Sequence, residues 1–468
     1  MLIGPMLKLC PCTAEEWRVR VDVILAPGQA SPALDGRPAR DEEVVHLSGY
    51  RRVSWQLRWP RAREESLHGY RLDGRIHAVR VPGAGLAPRV AFFSCNGFSS
   101  VAYARRVGRK NALWEDLMDR EPHVLIGGGD QVYGDELFGK APLKKVENPR
   151  QLAALARPPA ALTSAYFQLY ARRWMGTEIM QAMASVPGIY TWDDHEIFDG
   201  WGSYPPKLQD SRGFQAMFNA AAAAFDLIQV GPGWTGSSEH RYQALRLEGE
   251  VELVVIALDL RSCRTREQVL GEAQWAKLKA TLRGLPALPE GRRREILVVS
   301  SIPLIYLRFA SVFEGLPTEL QDDLIDHWES PCHRGEQLKL INNLLEHVQP
   351  DRTRVTVLSG DVHVASRGQV VDTRQGTQRK ILAQLTSSGI VHPGPNALET
   401  ALLRLASREG PRRLEPGLES SLSDVGAETI MPTRNWLSLW FDKPGDEGRL
   451  WAQWRTEEGP VQPLVVLT

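Results

Sequence analysis

Five short stretches of this chain gather residue types that hold metal ions or move protons. They are Ser94-Cys95-Asn96, Gly129-Asp130-Gln131-Val132-Tyr133, Trp192-Asp193-Asp194-His195-Glu196, Asp259-Leu260-Arg261 and Gly360-Asp361-Val362-His363. Each follows an apolar run. Thiol, phenol, carboxylate and imidazole groups are all cation ligands. A carboxylate at the end of an apolar strand is costly unless an opposite charge or a metal meets it. One Asp or His in such a place is usually a helix cap or a satisfied loop residue. Clusters at several successive strand ends are not explained by capping. In open α/β sheets, ligands collect just past the carboxyl ends of the strands. The stretches are therefore expected to meet in one site.

Strands and helices must carry them there. Apolar runs predict strands at 89–94, 122–127, 188–191, 251–258, 295–300, 354–359 and 380–385. Helical periodicity falls between them, at 112–120, 165–184, 213–228, 272–282 and 337–347. Such alternation predicts an α/β fold with at least partly parallel sheets. Residues 1–88 read differently, with period-two alternation at 17–25 and 50–59 and further short strands at 69–72 and 77–81. This β-rich segment is expected to form a small sandwich of its own, with Val81-Pro-Gly-Ala-Gly-Leu-Ala-Pro88 as the linker to a second domain at 89–468. The polar stretch 404–430 reads as a long loop, and 436–441 with 449–455 as a closing hairpin around Lys443-Pro-Gly-Asp.

Taken in order, Ser94-Cys95, Gly129-Asp130-x-x-Tyr133, Trp192-Asp-Asp-His195-Glu and Gly360-Asp361-x-His363 resemble the alkaline phosphatase D (PhoD-like) family of the calcineurin-like metallophosphoesterases. Asp259-x-Arg261, followed by Leu270-Gly-Glu-Ala-Gln274-Trp, is similar to that family's mid-domain pattern. The likeness spans roughly residues 89–468, and the β-rich segment before it resembles the small sandwich that precedes the family's core. The resemblance implies a two-sheet αββα sandwich. It also implies metal-dependent hydrolysis of phosphate esters, with cleavage of monoesters, diesters or both by metal-activated hydroxide.

Two or more metal ions are implied, with Asp130 as the bridging ligand. Cys95 stands where most relatives have aspartate; with Tyr133 and His363 it would hold the first ion, a donor set suited to ferric iron. Asp130, Asp194 and Asp361 would hold the second. That oxygen-rich set suits calcium, magnesium or manganese. Asp193 is a ligand or orients one. His195 is expected at the phosphoryl oxygen or leaving group, with Glu196 either fixing its imidazole or capping a helix. Arg261 and Asn96 are expected to contact phosphate oxygens, with an internal salt bridge the equal alternative for Arg261. The rival readings are a phosphodiesterase- or phospholipase-like enzyme and a metal-stabilised scaffold without turnover.

Composition narrows the rest. The 468 residues carry 56 Lys+Arg and 56 Asp+Glu, which argues against a grip on nucleic acid or anionic membrane by bulk charge. Hydrophobic residues at 43% support a sizeable core and exclude disorder. Five scattered cysteines imply no disulfide framework. With no signal peptide, twin-arginine signal or spanning apolar run, a cytoplasmic location and no membrane anchor are expected. Arg292-Arg293-Arg294 reads as a solvated turn. The glycines before Asp130 lack the Gly-Lys-Ser/Thr of a P-loop. Thr386-Ser-Ser-Gly389 either lines the site or simply turns the chain.

Overall fold

The computed structural model describes the chain except residues 36–42, 139–157, 235, 308–325, 375–378, 388, 409, 443–446 and 468. The early strands are β1 Ile3–Leu9, β2 Glu16–Leu25, β3 Glu43–Leu47, β4 Tyr50–Pro60, β5 Ser66–Leu72, β6 Arg75–Val81, β7 Val90–Phe93, β8 Val124–Gly128 and β9 Gly188–Thr191. Then follow β10 Gln243–Leu247, β11 Val251–Ala257, β12 Arg293–Val299, β13 Thr353–Ser359, β14 Ala365–Asp372 and β15 Lys380–Thr386. The last are β16 Arg412–Glu415, β17 Leu418–Ser423, β18 Ile430–Met431, β19 Asn435–Phe441, β20 Leu450–Thr456, β21 Gly459–Pro460 and β22 Leu464–Val465. Helices α1 Val101–Arg106, α2 Ala112–Asp119, α3 Pro159–Trp174, α4 Thr177–Ser185 and α5 Pro206–Gln209 precede α6 Arg212–Ile228, α7 Glu272–Arg283, α8 Arg334–Glu346 and α9 Ala397–Ala406.

Two sheets face each other. The first runs β21-β20-β19-β7-β8-β9-β1-β2-β4-β3, and the second β10-β11-β12-β13-β15-β14-β17-β16. Strands β7, β8 and β9 are parallel, as are β11, β12, β13 and β15. Buried residues of both sheets, among them Phe92, Ile126, Leu253, Leu297 and Leu358, fill the layer between them. Trp114, Tyr166, Phe167 and Phe225 close the outer face of the first sheet. Trp275, Leu278, Leu340 and Leu344 close that of the second. The αββα sandwich that the resemblance implies is thus the fold observed. Among the described residues, no helix is long and apolar enough to cross a membrane.

Residues 1–88 do not close into a sandwich of their own. Strand β1 pairs in parallel with β9, and β2, β4 and β3 carry the first sheet onward. The reason lies in β2, which is buried almost throughout rather than on alternate positions. Val19, Val21 and Val23 enter the inter-sheet core, while Ile24 packs into the helix-covered layer. A strand buried on both faces needs both layers. The separate ribbon β5–β6 adds Tyr70 and Val79 to the inter-sheet core.

Other expectations need smaller corrections. The helix predicted at 165–184 is two helices, because Gly176 takes an extended backbone between α3 and α4. The stretch 404–430 holds β16, β17 and β18, which pair around β14. β16 and β17 are short and mostly polar and β18 is only two residues, so only pairing reveals them. The hairpin β19–β20 is present, and its turn at 443–446 lies outside the described residues.

Candidate metal centre

The parallel strands deliver their carboxyl ends to one place. Cys95 follows β7, Asp130 follows β8, Asp193 and Asp194 follow β9, Arg261 follows β11, and Asp361 and His363 follow β13. A parallel bridge from Ser94 to Gly389 joins the two sheets there. Cys95, Asp130, Asp361 and His363 have φ of 51°, 57°, 68° and 51°, four of the eight non-glycine residues with positive φ among the described residues. Such a left-handed backbone is costly for most side chains and collects at functional sites. Gly129 also has a positive φ, +105°, and a Cβ there would lie 2.7 Å from Cβ of Asp193.

Glu196 straps two of these loops together. Its carboxylate accepts from the backbone N–H of Asp130 at 2.9 Å, of Gln131 at 2.6 Å and of Asp193 at 2.8 Å. It caps the short turn Asp194–Glu196 and does not touch the imidazole of His195. That imidazole is held by Asp135 instead, with Nδ1 2.6 Å from the carboxylate, which also accepts from N–H of Asp199 at 2.9 Å.

The predicted ligands converge. One ligand atom each of Cys95, Asp130 and His363 lie within 4.8 Å of one another, and so do those of Asp130, Asp193, Asp194 and Asp361. Asp130, Asp194 and His195 form a third such set. Asp130 is common to all three, as a bridging ligand must be. Oδ1 of Asp130, Oδ2 of Asp193, Oδ1 of Asp194, the hydroxyl of Tyr133 and Nε2 of His363 are buried with no hydrogen-bond partner. Several such atoms gathered in one acidic cluster suit a bound cation.

Electrostatics points the same way. Burial, together with neighbouring carboxylates, holds Asp130 and Asp361 well above the usual carboxylate range. Asp193 is pushed up to about 6 by burial, against the pull of Arg261. Burial and Asp130 raise the Cys95 thiol, and burial with Cys95 alongside raises the Tyr133 phenol. Acids crowded this closely cannot all ionise without positive charge between them. His195 behaves oppositely: burial disfavours its charge, but Asp135, Asp194 and Asp130 outweigh that and hold its pKa well above the ordinary value.

Two predicted phosphate contacts are engaged elsewhere. Arg261 is fully buried and pairs with Asp193 and, at 2.7 Å, with Asp326, so the internal salt bridge is the reading realised. Its NH2 stands 3.5 Å from Asp194, where it braces the acidic set. Asn96 accepts from Nε1 of Trp114 at 2.9 Å and from Arg173 at 2.7 Å, and donates to the carbonyl of Gln131 at 3.4 Å. Its amide is used within the protein. Ser301, which donates to Asp193 at 2.8 Å, carried no recognisable signal in the sequence. Nor did His392, whose ring stacks on His363 at 3.7 Å. Asp135 lies two residues past Tyr133 and reads there as an ordinary acid in a helical first turn.

The family model described as PhoD related phosphatase matches residues 84–233 and 315–409, a little over half the chain. The chain belongs to the PhoD-related phosphatase family. The matched segments contain Cys95, Asp130, Tyr133, Asp194, His195, Asp361 and His363. The solved structure of PhoD shares the fold, with a TM-score of 0.57 over 99% of this chain and 92% of its own, at 15% identity. The purple acid phosphatase PPD1 from yellow lupin (Lupinus luteus) seeds gives a TM-score of 0.47 over 98% and 73%, at 13% identity. Among curated proteins, the uncharacterized protein YGR266W of Saccharomyces cerevisiae is 25% identical over 392 residues, 67% of this chain. The chain spans only 56% of that relative's length.

Proposed function

We propose that this PhoD-related chain hydrolyses phosphate esters with two metal ions. The first would be held by Cys95, Asp130, Tyr133 and His363, and the second by Asp130, Asp193, Asp194 and Asp361. The observation that carries the reading is the set of orphaned buried ligand atoms around Asp130. When bound, such ions supply positive charge at the phosphoryl group and acidify the water that attacks it. A thiolate–phenolate–imidazole set favours ferric iron, and an all-carboxylate set favours calcium, magnesium or manganese.

The chain's own residues supply the rest. Asp135 fixes His195 through Nδ1, which leaves Nε2 for the departing ester oxygen. Imidazolium there gives up a proton as the bond to phosphorus breaks. Arg261 keeps Asp193 and Asp194 in place from behind. Glu196 and the glycine turn hold the ligand loops in register.

Metal analysis of the purified protein, paired with assays on p-nitrophenyl phosphate and bis-p-nitrophenyl phosphate, tests this. Two bound ions are expected per chain, with activity lost on chelation and restored by metal. The ratio of the two activities assigns mono- or diester preference. A metal-free protein with full turnover would overturn the reading.

A further inference from the structure

Two helices flank the open side of the metal cluster. The partly exposed residues there are Phe98, Ser99, Asp361, Val362 and His363. Helix α1 begins just past Ser100, and the ring of its Tyr103 lies 4.7 Å from that of His392. Arg106, at the end of α1, donates to the carbonyl of Gly394 at 3.0 Å, just before the start of α9. Helix α9 packs Leu403 and Ala406 beside Val362.

The outward faces of these helices are apolar. No residue of α1 is buried, and only Thr400 and Ala406 of α9 are. Leu398 is 71% exposed, Val101 69% and Leu405 52%. Leu398, Ala401, Leu402 and Leu405 recur at helical spacing, which makes one stripe. Cations accompany them. Residues 97–111 carry Arg105, Arg106, Arg109 and Lys110 with no acid, and 392–409 carry Arg404 and Arg408 against Glu399 and Glu409. Arg109 pairs with Glu115 and Arg404 with Glu428. Among the described residues, Arg105, Arg106 and Lys110 make no such pair. Zero net charge over the whole chain conceals this local excess.

We propose that this rim docks the enzyme on an anionic phospholipid bilayer. Val101 and the leucine stripe of α9 enter the headgroup boundary, while Arg105 and Lys110 meet lipid phosphates. A nucleic acid would use the cations and leave the leucines in water. An apolar protein partner would cover the leucines and leave the cations unanswered. The docking rests on this surface alone and stands whether or not the esterase reading does.

Co-sedimentation of the full chain with vesicles tests it. Binding is expected to phosphatidylcholine vesicles containing about 30% phosphatidylserine at about 0.1 M salt, and to weaken as salt rises. Vesicles of phosphatidylcholine alone should bind far less. Leu398→Glu with Leu405→Glu should lower the partition coefficient about tenfold or more. Arg105→Glu with Lys110→Glu should remove the preference for phosphatidylserine. Unchanged thermal melts and unchanged far-UV circular dichroism show that both variants are folded. A wild-type chain that stays in the supernatant with phosphatidylserine vesicles overturns the proposal. So does a folded leucine variant that binds as the wild type does.

Discussion

Asp130 offers one carboxylate to three overlapping sets of ligands, and its Oδ1 has no other partner. Asp130→Asn removes a charge shared by two ions, so both are expected to be lost together and activity to fall to near background. Metal content by mass spectrometry checks this; retention of both ions would show that another residue bridges. His195 presents a different test, since it is held by Asp135 and assigned to the leaving group. Proton transfer of this kind contributes about 10²–10⁴-fold in rate. His195→Ala should lose kcat in that range with both ions retained, and Asp135→Asn should lose part of it. The loss should be smaller on p-nitrophenyl phosphate than on an alkyl phosphate, whose leaving group needs the proton. Equal losses on both substrates would remove His195 from that role.

At the scale of elements, the strand ends are locked by few groups. Glu196 ties the loop after β8 to the loop after β9 through three backbone N–H groups. Glu196→Ala leaves those buried donors unsatisfied and is expected to cost about 2–4 kcal/mol of stability. Because the same loops carry Asp130, Asp193 and Asp194, metal affinity should fall about 10–100-fold as well. Thermal melts with and without metal separate the two effects. A variant that melts like the wild type and keeps its metal affinity would mean that the loops hold their shape without the strap.

At the scale of the molecule, the N-terminal strands are part of the two-sheet sandwich. A chain beginning at residue 84 would lack β1–β6 and expose the edge of β9 with much of the inter-sheet core. It is expected to be insoluble or unfolded, which circular dichroism would show; a cooperative melt from that fragment would make residues 1–83 dispensable. Lys8 of β1 gives a pH signature of the same packing. It lies 4.4 Å from the Tyr190 ring centroid, and burial lowers its pKa from 10.5 to about 7. Between those values the unfolded chain holds a proton that the folded chain lacks, so stability should climb as pH rises from about 7 to 10.5. Below about 7 both states are protonated and the penalty is full. Lys8→Met should flatten that slope and raise stability at pH 6 by roughly 2–4 kcal/mol. Denaturant melts across pH measure both; an unchanged slope would mean that Lys8 stays charged in the fold.

Much of this was legible without coordinates. An apolar run followed at once by Asp, His or Cys marks a buried strand ending in a polar site, and that signal is local. It placed Cys95, Asp130, Asp194, His195, Asp361 and His363 at strand ends, and the parallel strands bring those ends together. The α/β alternation is local too, and it foretold an α/β fold with partly parallel sheets, while the two-sheet sandwich was what the family resemblance implied. Partnership is not local. Whether Arg261 meets phosphate or Asp326 depends on a residue 65 positions away, and whether Glu196 meets an imidazole or a backbone turn 65 and 66 away. Asp135 and His392 have unremarkable neighbours in sequence and were found only through the rings they touch. The N-terminal strands look self-sufficient because alternation reports that a face is buried, not what buries it. Hydrogen bonding between β1 and β9 decided that, and with it that residues 1–88 share the core between the two sheets.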